Sequence, residues 1–118
     1  MCFYKVYNTL GHGFLEKVYE NALVMELKKS DLAVNQQQGV KVFYDDKVIG
    51  DYFADIVVNG LVIVELKTSE TLKSEHFAQL TNYLKATDIE VGLLLNFGNK
   101  PEFKRIILTN DKKHFTQL

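Results

Sequence analysis

The chain has little that could cross-link it. Its only cysteine is Cys2, so no internal disulfide can form and no cysteine set exists to hold zinc or an iron–sulfur cluster. Any metal must therefore sit on oxygen ligands. No run approaches the roughly 18 consecutive apolar residues of a membrane span, and the first residues lack a charged leader followed by an apolar stretch and a cleavage site. These absences make a cytoplasmic soluble protein the expectation. Proline occurs once, at Pro101 in an expected late turn, and no Pro/Gly/Ser-rich linker, repeat or low-complexity tract interrupts the chain. An excess of one charge is missing too. Fourteen Lys and Arg against 15 Asp and Glu give a formal net charge of −1, which counts against nucleic-acid binding through bulk electrostatics. A polyanion site must then be local. Lys100, Lys104, Arg105, Lys112 and Lys113 form one basic cluster, although such a cluster is more often a solvated face.

What is present fits one α/β domain. The 118 residues are 47% hydrophobic and 25% charged, the balance of an ordinary globular unit, so residues 1–118 are read as a single domain. Phe3, Val6, Tyr7 and Leu10 recur at helical spacing between Met1 and Leu10, until Gly11-His12-Gly13 interrupts them. A better-marked helix is expected from Phe14 to about Lys29, with Leu15, Val18, Tyr19, Ala22, Leu23 and Leu27 as its apolar face. From Ala33 the period changes to two, which predicts strands at Val34–Tyr44, Val48–Val58 and Leu61–Lys67. Asp45-Asp46-Lys47 and Asn59-Gly60 supply the turns. A helix over about Ser74–Ala86, the apolar run Val91–Phe97 and a strand near Arg105–Leu108 complete the order α-β-β-β-α-β-β.

The chemistry lies where this pattern is broken. On the third strand Leu61, Ile63, Glu65 and Lys67 share one face, so two charges end an apolar row. Asp55 lies between Phe53 and Val57 on the second strand, again a charge among apolar neighbours. Two such carboxylates tolerate ionisation poorly unless a cation neutralises them, and hard magnesium or manganese prefers oxygen ligands. Lys67 could orient and help deprotonate an attacking water, or stabilise charge on a phosphoryl oxygen. Read locally, a carboxylate two residues before a lysine at a strand end is more often a solvated salt bridge.

Two further features lie on helices. Glu16 shares a face with Tyr19, Leu23 and Leu27, or else serves the helix dipole from the first turn. Gln79 and Tyr83, spaced i,i+4, present an amide and a phenol in line with His76 one turn earlier, either as a site rim or as an exposed helix face.

Taken together, Gly13-x-x-Glu16-x-x-Tyr19, Ala54-Asp55, Glu65-Leu66-Lys67 and Gln79-x-x-x-Tyr83 resemble the successive motifs of the GxxExxY proteins, a branch of the PD-(D/E)xK nuclease-like superfamily. The similarity extends to Gly13-Phe14-Leu15-Glu16, Asn82-Tyr83-Leu84-Lys85 and Leu95-Asn96-Phe97-Gly98. His12 departs from the proline that these proteins often carry between two glycines. The resemblance implies a restriction-endonuclease-like core in which Asp55 and Glu65 bind a divalent metal, Lys67 assists the water and Glu16 completes the acidic cluster, so that Glu16, Asp55 and Glu65 are expected to converge on one cation. Gln79 and Tyr83 resemble the QxxxY element of RecB-type nucleases, which helps fix the site and touches the nucleic acid. A metal-dependent nuclease acting on nucleic acid, DNA before RNA, is the implied function. A noncatalytic nucleic-acid- or protein-binding module on the same core is the alternative. So small a core is expected to act as a homodimer or beside a partner chain.

One geometric requirement follows. A two-residue turn at Asn59-Gly60 would put Asp55 opposite Val64, on the sheet face away from Glu65. A three-residue turn over Val58-Asn59-Gly60, or an equivalent bulge, instead pairs Val57 with Leu61 and Asp55 with Ile63 and collects all three charges on one face. It also leaves Ala54, Ile56, Val58, Val62, Val64 and Leu66 as a wholly apolar second face. The odd-length turn is expected.

Overall fold

The computed structural model of the chain describes residues 2–113, so Met1, which the first expected helix includes, lies outside the described residues. Helices α1 (Cys2–Leu10) and α2 (Glu16–Lys29) precede strands β1 (Val34–Tyr44), β2 (Lys47–Val58) and β3 (Val62–Lys67). Helix α3 (Ser74–Lys85), strands β4 (Val91–Phe97) and β5 (Pro101–Ile107) and a 3₁₀ turn at Asn110–Lys112 follow. The expected order holds, with α1 added in front. One mixed sheet runs β1-β2-β3-β4-β5. Among the described residues only β3 and β4 pair in parallel, the arrangement that a crossover through α3 requires.

Helices cover both sheet faces. Phe3 and Val6 of α1 and Tyr19, Leu23 and Val24 of α2 pack on Ile56, Val64, Leu66, Leu95 and Phe97. On the opposite face Leu80, Tyr83 and Leu84 of α3 pack on Ala54, Val57, Ile63 and Leu94. Strand β3 is therefore buried on both sides through Ile63, Val64, Glu65 and Leu66, the condition of a central strand in an α/β sheet. Each large apolar side chain enclosed there contributes about 1.5–3 kcal/mol.

Several expectations shift. Leu15 is 79% and Val18 39% exposed, because Leu15 is the extended residue ahead of α2 and the buried stripe runs through Tyr19, Glu20, Leu23 and Val24 instead. Pro101 opens β5 opposite Phe97 rather than sitting in the turn. A strand's first residue can lack an N–H donor without losing the ladder, so β5 starts four residues earlier than its apolar end suggests.

The turn after β2 keeps both local chemistry and odd length. Asn59 and Gly60 have φ of 54° and 65°, and the Leu61 amide closes on the Val58 carbonyl at 2.9 Å, as in the two-residue turn that Asn59-Gly60 suggests locally. Leu61 is then an extra residue, 67% exposed, and pairing resumes with Val58 opposite Val62 and Val57 opposite Ile63. The expected partner of Val57 was Leu61. The register differs by two residues, an even step, so the faces are unchanged and Asp55 falls level with Glu65 rather than with Ile63. Ala54 is the exception to the expected apolar face, since it packs with Val57 and Ile63 on the α3 side. The cause is a kink beside it: Gln37, across from Asp55, has φ of 53° and the alternation of β2 breaks there.

Candidate active site

Strands β2 and β3 pair only over Ile56–Val58 and Val62–Val64 and part at the next residue pair, Asp55 and Glu65. The main-chain donors freed by this parting are taken up by the two carboxylates. The Asp55 amide donates to Glu65 Oε2 at 2.7 Å, and the Leu66 amide donates to Asp55 Oδ2 at 2.9 Å. Each carboxylate is thus fixed by the opposite strand. Lys67 ends β3 one alternation further on, and its ammonium donates to Gln79 Oε1 of α3 at 2.8 Å. The Gln79 amide donates in turn to the Tyr83 hydroxyl at 3.3 Å, so the i,i+4 pair forms a chain that ends on Lys67. His76 does something else. Its Nδ1 accepts the Lys73 amide at 3.0 Å, closing the first turn of α3 rather than lining a site.

Electrostatics mark this corner of the sheet. Glu65, only 3% exposed, has its carboxyl pushed up from 4.5 to about 8, first by burial and then by the charge of Asp55, against the opposing pull of the Asp55 amide and Lys67. Burial raises Asp55 as well, with Glu20 adding to the rise while the Leu66 amide and Gln37 lower it. Glu16, the first residue of α2, is exposed as a whole residue yet its carboxyl is shifted upward by partial desolvation and Asp55, and held down by Lys67 and Thr68. Both readings of Glu16 therefore describe it. It is an acidic first-turn residue, and it shares a field with Lys67, Asp55 and Glu65. The structure brings together Asp55, Glu65, Lys67, Gln79 and Tyr83, with Glu16 at their edge.

Sequence reasoning missed the residues behind them. Glu20 is 4% exposed, one turn after Glu16. It accepts hydrogen bonds from Gln36 at 2.7 Å, from Gln37 at 3.0 Å and from Lys17 at 3.0 Å. Gln37 also donates to Asp55 Oδ1 at 3.3 Å and so links α2 to β2. Two signals pointed there: an acid at i+4 from Glu16 on the same helix face, and three consecutive glutamines where a strand should alternate. Asn96 is the other omission, a wholly buried amide visible as the one polar residue in the run Val91–Phe97. It accepts the Ser69 amide at 3.0 Å and donates to the Ser69 carbonyl at 2.9 Å and to Glu102 at 3.1 Å. A Cβ on Gly98 would lie 2.0 Å from the same Ser69 carbonyl, so only glycine fits. Together they pin the chain leaving β3, and with it Lys67 and Thr68. Tyr19 plays the same part in front of α2, its hydroxyl donating to the Gly11 carbonyl at 2.5 Å and accepting the Phe14 amide at 3.2 Å.

The basic cluster near the C-terminus is not one surface. Lys104 and Arg105 are adjacent on β5 and so point to opposite faces, while Lys113 donates to the carbonyls of Thr87 and Ile89. Among the described residues no helix is long and apolar enough to cross a membrane.

A mixed five-stranded sheet between helices, with β2 and β3 parting around an aspartate and a Glu-x-Lys, defines a restriction-endonuclease-like α/β fold. A family model described as the PD-(D/E)XK nuclease superfamily matches residues 1–106, and the chain belongs to that superfamily. Among solved structures it is similar to the crystal structure of SSO0001, with a TM-score of 0.60 and 22% identity over 81% of this chain and 52% of that one. At that identity the likeness speaks for the fold alone, and this chain spans about half the length of that protein. No curated protein matches it significantly.

Proposed function

We propose that the chain is a divalent-metal-dependent nuclease of GxxExxY type that hydrolyses phosphodiester bonds of nucleic acid, DNA in the first place. The observation that carries this reading is the meeting of Asp55, Glu65 and Lys67 where β2 and β3 part, with Lys67 aimed by Gln79. The donor set fits a hard cation. Asp55 and Glu65 offer carboxylate oxygens, and burial with the charge of Asp55 pushes the Glu65 carboxyl up to about 8, a rise that a cation between the two would oppose. Magnesium is commonly held by one or two carboxylates with water filling its shell. Among the described residues no group of three or more His, Cys, Asp or Glu side chains converges closely enough to hold a metal, so the fit is to such a sparse site rather than to a full protein cage. In the proposal Asp55 and Glu65 hold the ion, the Leu66 carbonyl is a further oxygen, and Glu16 adds its charge from α2. Bound there, magnesium or manganese would polarise the phosphoryl group and acidify water.

The chain's own groups do the rest. Lys67 presents its ammonium to a non-bridging phosphoryl oxygen or to the attacking water and stabilises the charge that develops in the transition state. Gln79 fixes that ammonium's direction through its carbonyl, and Tyr83 fixes Gln79. Cytoplasmic location, a single domain over residues 1–118 and action as a homodimer or beside a partner belong to the same reading, the first supported by the lone Cys2.

A noncatalytic binding module is the second reading. It is favoured by the fact that both carboxylates already serve main-chain amides and that, among the described residues, every buried side-chain polar atom has a partner. Calorimetry with magnesium and manganese, alongside cleavage of single-stranded DNA, duplex DNA and RNA, separates the two. Asp55→Ala and Glu65→Ala are expected to lose metal binding, and Lys67→Ala to keep it while losing hydrolysis. Metal binding untouched in Glu65→Ala would show the assignment to be wrong.

A further inference from the structure

The β1–β2 hairpin outruns the rest of the sheet. Strand β3 ends at Lys67 and pairs with β2 only as far as Val64 opposite Ile56, yet β1 and β2 stay paired as far as Tyr44 and Lys47. This overhang and α3 enclose a groove of about 620 Å³, with Ile49 and Tyr52 on the hairpin wall and Gln79, Asn82 and Tyr83 on the helix wall. Gln79 and Tyr83 are the residues that lead to Lys67, so the groove opens directly beside the proposed catalytic corner.

Its wall carries a placed aromatic surface. Tyr52 is 51% exposed, and its ring centroid lies 6.1 Å from that of Tyr83. The ring is folded back over Gly50, where a Cβ would sit 2.7 Å from its edge carbon. Glycine at position 50 therefore lets the ring lie against the strand and keep one side to the groove. Lys41 and Lys85 are among the lining residues against one acid, Glu75, a balance that suits an anionic chain.

We infer that this groove takes single-stranded nucleic acid, an unpaired base stacking on Tyr52 while its strand runs past Gln79 and Tyr83 toward Lys67. The inference rests on the nuclease reading and deepens it by naming the substrate class. A volume of about 620 Å³ is in the range that holds one small ligand of a nucleotide's size and not a double helix. A base inside a duplex has both faces stacked and cannot offer one to a ring, whereas every unpaired base can. With a formal net charge of −1, the chain has little general attraction for duplex phosphates, and local stacking supplies what bulk charge does not.

The test is fluorescence anisotropy with the full chain in EDTA, using a labelled oligothymidine of about twenty nucleotides and a blunt duplex of equal length. The single strand is expected to bind more tightly than the duplex. Tyr52→Leu should weaken single-strand binding about tenfold, in line with the loss of one base–aromatic stack, while Tyr52→Phe, which keeps the ring, retains it. Equal affinity for both nucleic acids, or Tyr52→Leu binding like the wild type, overturns the inference. Because no metal is present, the result is independent of hydrolysis. Tyr52-dependent binding with no cleavage under any metal would remove the nuclease reading alone, and cleavage by a chain indifferent to Tyr52 would remove the groove alone.

Discussion

Glu65 makes the stability of the metal-free chain depend on pH in an unusual direction. A carboxyl raised from 4.5 to about 8 binds its proton more tightly in the folded chain than in the unfolded one, so its stabilising effect is complete below about pH 4.5 and lost as pH rises through about 8. At roughly 1.4 kcal/mol per pH unit the full displacement corresponds to about 5 kcal/mol. Asp55 and Glu16 are raised as well and act in the same direction. Urea denaturation in EDTA at about pH 5, 7 and 9 should therefore show a falling midpoint. Glu65→Gln imitates the protonated acid and can still accept the Asp55 amide, and it should remove most of the fall. Saturating magnesium should oppose it too, because an ion on Asp55 and Glu65 favours the deprotonated form. A wild-type midpoint that is flat across this window, or a Glu65→Gln midpoint that falls as steeply, would refute the reasoning.

Three other outcomes can be checked. Asn96→Ala strands both main-chain groups of Ser69 and one oxygen of Glu102, and should cost about 2–4 kcal/mol in urea denaturation. Glu20→Ala should lower kcat by about tenfold or more without changing which metals support cleavage, because it frees Gln37 and so loosens Asp55 while leaving the carboxylate pair itself in place; unchanged kcat would show that the Glu20–Gln37 link to Asp55 is idle. Gln79→Ala releases the Lys67 ammonium and should reduce kcat more than KM, whereas an equal effect on both would assign Gln79 to substrate binding instead.

Much of the fold was legible because period changes are local. The shift from helical spacing to alternation at Ala33 places β1 within the same bounds that the sequence suggests, and the run Val91–Phe97 is β4 without adjustment. Asp55, Glu65 and Lys67 stand out for the same reason, as charges in apolar strands. Glu20 did not, because a glutamate in a helix is ordinary until β1 is known to bury it, and its partners Gln36 and Gln37 lie on the far side of a turn. The kink at Gln37 that sends Ala54 to the α3 face arises from contacts among α2, β1 and β2 together. No window of sequence contains all three. Pro101 misled for the opposite reason, since a residue that usually breaks strands is harmless at a strand's first position.

Leu61 looks like an incidental residue, exposed and outside the ladder, but it imposes an odd–even rule on the segment around it. Side chains alternate with period two, so removing Leu61, or adding one residue beside it, would rotate β2 by one step against β3 and send Asp55 and Glu65 to opposite sides of the sheet. The hairpin itself could still close, since Asn59-Gly60 would remain. Adding or removing two residues would leave the carboxylates together. Length variation here is thus quantised: steps of two are tolerated, and a single step separates the acids in a chain that still folds.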